Sequence, residues 1–132
     1  EASPGSSRAS ITPQRLSAEL TQTQLIDVRE PDEWRSEHIA GAIHIPLGQL
    51  AQRVDSIDPV RPVAVICRSG RRSRTATRIL KSHAIEAANV KGGMRAWTGS
   101  GLPVIRGAAA RISMTVESGR GGQIRLIRST SR

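Results

Sequence analysis

The sequence predicts an α/β domain with a mainly parallel sheet. Short apolar runs such as "QLIDV" and "RPVAVIC" alternate with segments of helical periodicity, and the connections between them are short. A chain of 132 residues is long enough for one domain with a real core, so no second domain is needed.

The elements follow in order. "ITPQRLSAEL" opens a short amphipathic helix: Thr12 is an N-cap candidate, Pro13 suits the first helical position, and Leu16 and Leu20 lie four apart. "QLIDV" reads as a buried strand. "EPDEWRSEHI" starts a helix with Pro31 and two acids in its first turn, and Gly41 is expected to end it before the short strand "AIHIP". "LGQLAQRVDSI" is again helical, and "RPVAVIC" is a strand by its continuous β-branched character. "GRRSRTATRILKSHA" is the longest helical segment. "AANV" fits a short strand, "GGMRAWTGSG" a turn and a short helix, and "LPVI" a final extended piece. No internal repeat is evident.

Cys67, the single cysteine, stands where the strand "RPVAVIC" passes into the longest helix. Carboxyl ends of parallel strands are where α/β domains build their sites. Arg68, Ser69, Gly70, Arg71, Arg72 and Ser73 would wrap around the thiol and feed into the helix, so backbone N–H groups and the positive helix end can point at its sulfur. Such surroundings lower a thiol pKa from about 8.5 toward roughly 3.5 to 7.5 and give a nucleophile at neutral pH. The competing reading is a small core cysteine, but a Gly-containing loop with three arginines in five residues is poor packing material.

Composition narrows the function classes. One cysteine forms no internal disulfide, which favours a cytoplasmic setting, and no run approaches the roughly 20 apolar residues of a membrane span. The start, "EASPGSSRAS", lacks the pattern of a signal peptide and reads as a disordered leader, residues 1–10. The net charge of +9 is concentrated at the far end: 6 Arg against one Glu in residues 106–132, compared with 13 Lys and Arg against 9 acids in residues 12–105. Without Phe or Tyr, and with only Trp34 and Trp97, no stacking platform for nucleic acid is visible. No metal-ligand spacing exists among one cysteine and scattered histidines.

The loop "CRSGRRS" resembles the active-site loop of the rhodanese family of single-domain sulfurtransferases. "LIDVREPDEWRSEHIAGAIHIPL" resembles the amino-terminal signature of that family and "VKGGMRAWTGSGLPV" its carboxyl-terminal one, in the same order, so the likeness covers roughly residues 11–105. The resemblance implies a rhodanese-like fold, a five-stranded, mainly parallel sheet flanked by helices. It also implies transfer of a sulfane sulfur from thiosulfate or a similar donor to cyanide or a thiol through a Cys67 persulfide, with no cofactor. A small-molecule donor and acceptor, or a protein thiol acceptor, would be the partners.

Roles follow residue by residue. Cys67 is the nucleophile. Arg68, Ser69, Gly70, Arg71, Arg72 and Ser73 form the substrate-binding loop, in which Arg72 occupies the family's loop arginine, Arg71 could equally face solvent, and Ser73 could donate to sulfur or cap the helix. Asp27 and Arg29, in "DVRE", match the family's strand-end pair and are expected to brace the loop as a structural ion pair. His38 is expected to pack at a turn, His44 to be exposed on its strand, and His83 to sit near a helix end. Trp34 and Trp97 read as core or pocket-wall residues.

Two alternatives remain on the same residues. A phosphatase or arsenate reductase would use a related cradle, but its signature needs five residues between Cys and Arg, and four separate Cys67 from Arg72. A non-catalytic module, a sulfur carrier or an interaction module, is the other; an interaction module typically lacks the cysteine present here. The segment 107–132 lies outside the signatures and reads as a basic tail, disordered or forming one short extra strand in "QIRLIRST".

Overall fold

The computed structural model describes residues 9–107; the expected leader, apart from residues 9 and 10, and nearly all of the basic tail lie outside the described residues. Five strands form one sheet in the order β1-β5-β4-β2-β3, and every neighbouring pair is parallel. They are β1 (Ser10–Ile11), β2 (Gln24–Asp27), β3 (Ile43–His44), β4 (Val63–Ile66) and β5 (Ala88–Val90). Helices α1 (Pro13–Glu19), α2 (Pro31–Ser36) and α3 (Arg71–Ser82), with 3-10 segments at Leu20–Gln22 and Leu47–Ser56, make the connections, and α4 (Gly93–Gly99) follows β5.

Sequence chemistry explains most boundaries. Thr12 Oγ1 accepts from Arg15 N–H at 3.1 Å, capping α1 ahead of Pro13. At α2, Glu33 reaches back to accept from the Glu30 N–H at 2.9 Å, half of a reciprocal capping arrangement. That helix is shorter than its sequence pattern. It stops at Ser36, well before Gly41, because Glu37 turns to an extended conformation and His38 pairs with Ile105 in an antiparallel bridge.

The fifth strand is a further departure. "LPVI" contributes only that single bridge at Ile105, while Ser10, read from sequence as the end of the leader, and Ile11, read as the opening of α1, form β1 beside β5. Two residues carry too little alternation to show as a strand. The helical pattern of "LGQLAQRVDSI" becomes a 3-10 segment interrupted at Arg53.

The sheet separates two apolar layers. On one face Leu25, Ala64, Ile66, Ala88 and Val90 pack with Leu16, Met94 and Trp97 of α1 and α4. On the other Ile26, Val63 and Val65 pack with Ala76 and Leu80 of α3 and Leu50 of the 3-10 segment, and Cys67 belongs to this layer. Central β2 and β4 are buried along their whole length, as inner strands of a doubly covered sheet should be, and β4 is apolar throughout. No helix among the described residues is long and apolar enough to cross a membrane.

Candidate active site

Cys67 directly follows β4 and is 1% exposed. Its Sγ accepts from the Gly70 N–H at 3.1 Å and the Ser73 N–H at 3.3 Å, with the Ser73 Oγ at 3.4 Å. Gly70 makes this possible. At φ +110° it turns the chain through a left-handed conformation that side-chain-bearing residues rarely adopt, and it stands immediately before the first turn of α3. The loop is pinned from behind by the first turn of α4: Met94 N–H donates to Cys67 O at 2.8 Å and Arg95 N–H to Arg68 O at 3.0 Å. This close approach explains Gly93, where a Cβ would lie 2.4 Å from Cys67 O and 2.6 Å from Arg68 C.

Burial pushes the Cys67 thiol up, but hydrogen bonds to the sulfur more than offset it. The Ser73 hydroxyl lowers the pKa when its proton turns to the sulfur, and the backbone N–H groups of Ser73, Gly70 and Ser69 lower it in either orientation of that hydroxyl. The result is a buried sulfur surrounded by donors at a helix start, suited to nucleophilic attack and to holding negative charge.

The loop residues divide into two groups. Ser69, Gly70 and Ser73 converge on the sulfur through their backbone, whereas the side chains of Arg68 and Arg71 belong to exposed residues and form no ion pair among the described residues. Arg72 is directed toward α2, where its guanidinium forks onto Glu33 with contacts of 2.7 and 2.9 Å. That hydrogen bond is the main reason the Glu33 carboxyl is lowered to about 2 and the Arg72 guanidinium is raised. The negative charge of a Cys67 thiolate also contributes to raising the Arg72 guanidinium.

Asp27 and Arg29 form a buried ion pair, with contacts of 2.7 to 3.1 Å, at the carboxyl end of β2. Its outward hydrogen bond goes from Arg29 Nη2 to Glu37 O at 2.7 Å, so its direct hydrogen bond braces the end of α2. The connection to the Cys67 loop runs through α2, which carries Glu33 to Arg72.

His44 is half-buried and not exposed. Its Nε2 donates to Arg29 O at 2.8 Å, and its ring stacks on Trp34 at 4.8 Å. His38 packs at the turn as its position suggests, stacked on Trp34 at 3.6 Å with Nδ1 donating to Trp34 O. Trp97 is a core residue whose Nε1 donates to Pro103 O at 2.8 Å. His83 is exposed just past α3. No group of three or more potential metal ligands occurs among the described residues.

Two residues that the motifs did not single out join the site. Glu33 had shown only as a first-turn acid. Asn89 had shown only as part of the strand "AANV", yet it contacts both Ser73 Oγ and Gly70 O. The available signal was a polar residue between two buried apolar ones on an inner strand.

The family model of the rhodanese-like domain matches residues 12–100. A sulfurtransferase of Allochromatium vinosum is 33% identical over 99 residues, 72% of this chain and 92% of that protein. A thiosulfate sulfurtransferase of Escherichia coli is 36% identical over 72 residues, 53% of this chain and 69% of that protein. A rhodanese-related protein of Thermoplasma volcanium superposes with a TM-score of 0.71 at 32% identity, covering 74% of this chain and 97% of its own. A parallel five-stranded sheet, a cysteine at the end of its central strand and a family match across most of the chain agree: this chain belongs to the rhodanese-like domain family.

Proposed function

We propose that the protein is a thiosulfate sulfurtransferase. The Cys67 thiolate attacks the outer sulfur of thiosulfate, a new S–S bond forms at Sγ, and sulfite leaves with the electron pair of the broken S–S bond. The persulfide then gives its terminal sulfur to cyanide or a thiol, and the Cys67 thiolate returns. Loop N–H groups stabilise in turn the thiolate, the charge developing as sulfite departs, and the persulfide anion. Arg68 and Arg71 at the surface attract the dianionic donor, and Arg72, held by Glu33, adds a fixed positive charge.

The observation that supports this reading most directly is Cys67 Sγ accepting from Gly70 and Ser73 at the start of α3. The likeness to a thiosulfate sulfurtransferase at 36% identity supports the donor. A cytoplasmic setting and the absence of any cofactor belong to the same proposal.

Intact-protein mass spectrometry tests it. Thiosulfate should add one sulfur atom, cyanide should remove it, and Cys67→Ser should do neither. Retention of the added sulfur by the folded Ser variant, or none on the folded native protein, would show the persulfide route to be wrong.

A further inference from the structure

Ser73 Oγ carries one proton and faces two acceptors. One is Cys67 Sγ at 3.4 Å, and the other is Asn89 Oδ1, in a close hydrogen bond. Asn89 pairs with Val65 of β4, so its side chain lies on the sheet face that holds Val65 and Cys67, away from buried Ala88 and Val90. The other end of its amide donates through Nδ2 to Gly70 O at 3.2 Å. A carbonyl oxygen only accepts, so Gly70 fixes which end of the amide is NH2, and the end facing Ser73 is an oxygen that must itself accept.

We propose that Asn89 is a positioning residue that draws the Ser73 hydroxyl proton away from Cys67, so that the sulfur meets an oxygen lone pair there and draws its donors from the backbone. This rests on the reading of Cys67 as the nucleophile. The thiol form can donate S–H to Ser73 Oγ, while the thiolate keeps the loop N–H groups and competes with Asn89 for the hydroxyl. A thiolate with less stabilisation is more basic and attacks sulfur faster, with a Brønsted coefficient of about 0.4–0.5. Asn89 thus trades some ionisation of Cys67 for intrinsic reactivity. The charged pair Arg72 and Glu33 touches neither Ser73 nor Asn89 by hydrogen bond.

The test uses methyl methanethiosulfonate on the full chain. The thiolate attacks its divalent sulfur, a mixed disulfide forms, and methanesulfinate leaves with the electron pair. Cys67 is the single cysteine, so the rate reports this sulfur alone and does not depend on sulfur transfer from thiosulfate. In Asn89→Ala the freed hydroxyl turns to the thiolate: the midpoint of the pH–rate profile should fall by about one unit, and the high-pH plateau by roughly threefold. Gly70 O keeps its bond from the Arg74 N–H at 3.2 Å, so the loop is not left open by the change.

Asn89→Val, which suits a strand, should behave the same if the Ala variant folds poorly. In a Ser73→Ala background, substitution of Asn89 should move neither midpoint nor plateau. An unchanged or raised midpoint in folded Asn89 variants, or an equal shift without Ser73, would overturn the proposal. If the shift appears in a protein that thiosulfate never loads, the role of Asn89 stands and the proposed donor falls.

Discussion

Replacing Gly93 by alanine probes the support behind the reactive loop. Gly93 lies at φ +58°, where an alanine costs about 1–2 kcal/mol. Its Cβ would also fall 2.4 Å from Cys67 O and 2.6 Å from both C and O of Arg68, all backbone atoms that no rotamer can move aside. Overpacking of that kind costs about 1–3 kcal/mol, so the combined loss is about 2–5 kcal/mol. In a domain of this size each kcal/mol lowers the thermal midpoint by about 4–8 °C, giving a fall of about 10 °C or more. Relief can come only by pushing Cys67 and Arg68 away from α4, which misplaces the N–H groups around the sulfur, so sulfur loading should fall by about tenfold or more. Gly99→Ala is the control: its Cβ meets nothing within 4 Å and its φ is ordinary, so the midpoint should hold or rise slightly. Thermal unfolding and thiosulfate turnover of both variants decide the matter. A Gly93→Ala protein melting within about 2 °C of the native chain, with native turnover, would refute the close approach as the loop's support.

Arg72→Ala should lower kcat/KM for thiosulfate by about tenfold and keep that defect at high salt, because a fixed charge beside the sulfur acts at short range. Arg71→Ala, at an exposed position, should lose its effect as 1 M salt shortens the Debye length to about 3 Å; equal, salt-sensitive losses would make both part of a diffuse field. Glu33 has a folded pKa of about 2 against an ordinary 4.5, so its ion pair stabilises the fold above about pH 4.5 and is lost as pH falls toward 2. Because both partners are partly solvated, Glu33→Gln should cost only about 1 kcal/mol at pH 7, and urea unfolding should show that cost shrinking through this window; a constant cost would assign it to something other than charge.

Much of the fold could be read in the chain because its signals are local. Thr12 and Pro13 announce α1, and the β-branched run of β4 leads straight to Cys67. β1 escaped because two residues hold no period, and its strand character comes from pairing with β5 far along the chain. The site shows the same division. Cys67, Gly70 and Ser73 sit in one continuous stretch, so their gathering around one sulfur was legible from the loop alone. Glu33 and Asn89 come from other segments, and only the register of β5 and the docking of α2 bring them to the loop. His44 was misread because strand alternation at an edge does not show that Trp34 and Arg29 O cover one side of it.

The bonds from α4 to the loop also decide the sign of the charge this pocket can hold. In a trans peptide the C=O and the following N–H point opposite ways, so fastening a carbonyl on one side aims an amide at the other. Cys67 O and Arg68 O are held toward Met94 and Arg95, and Gly70 O toward Asn89 and Arg74. Each of these planes thereby turns its hydrogen away from the group that holds its oxygen, and three of the loop's carbonyl oxygens are already occupied. To receive a positive ligand the loop would have to flip peptides it cannot release without undoing the start of α4. The preference for anions is therefore a property of how two distant segments dock, and it would survive removal of every arginine side chain in the loop.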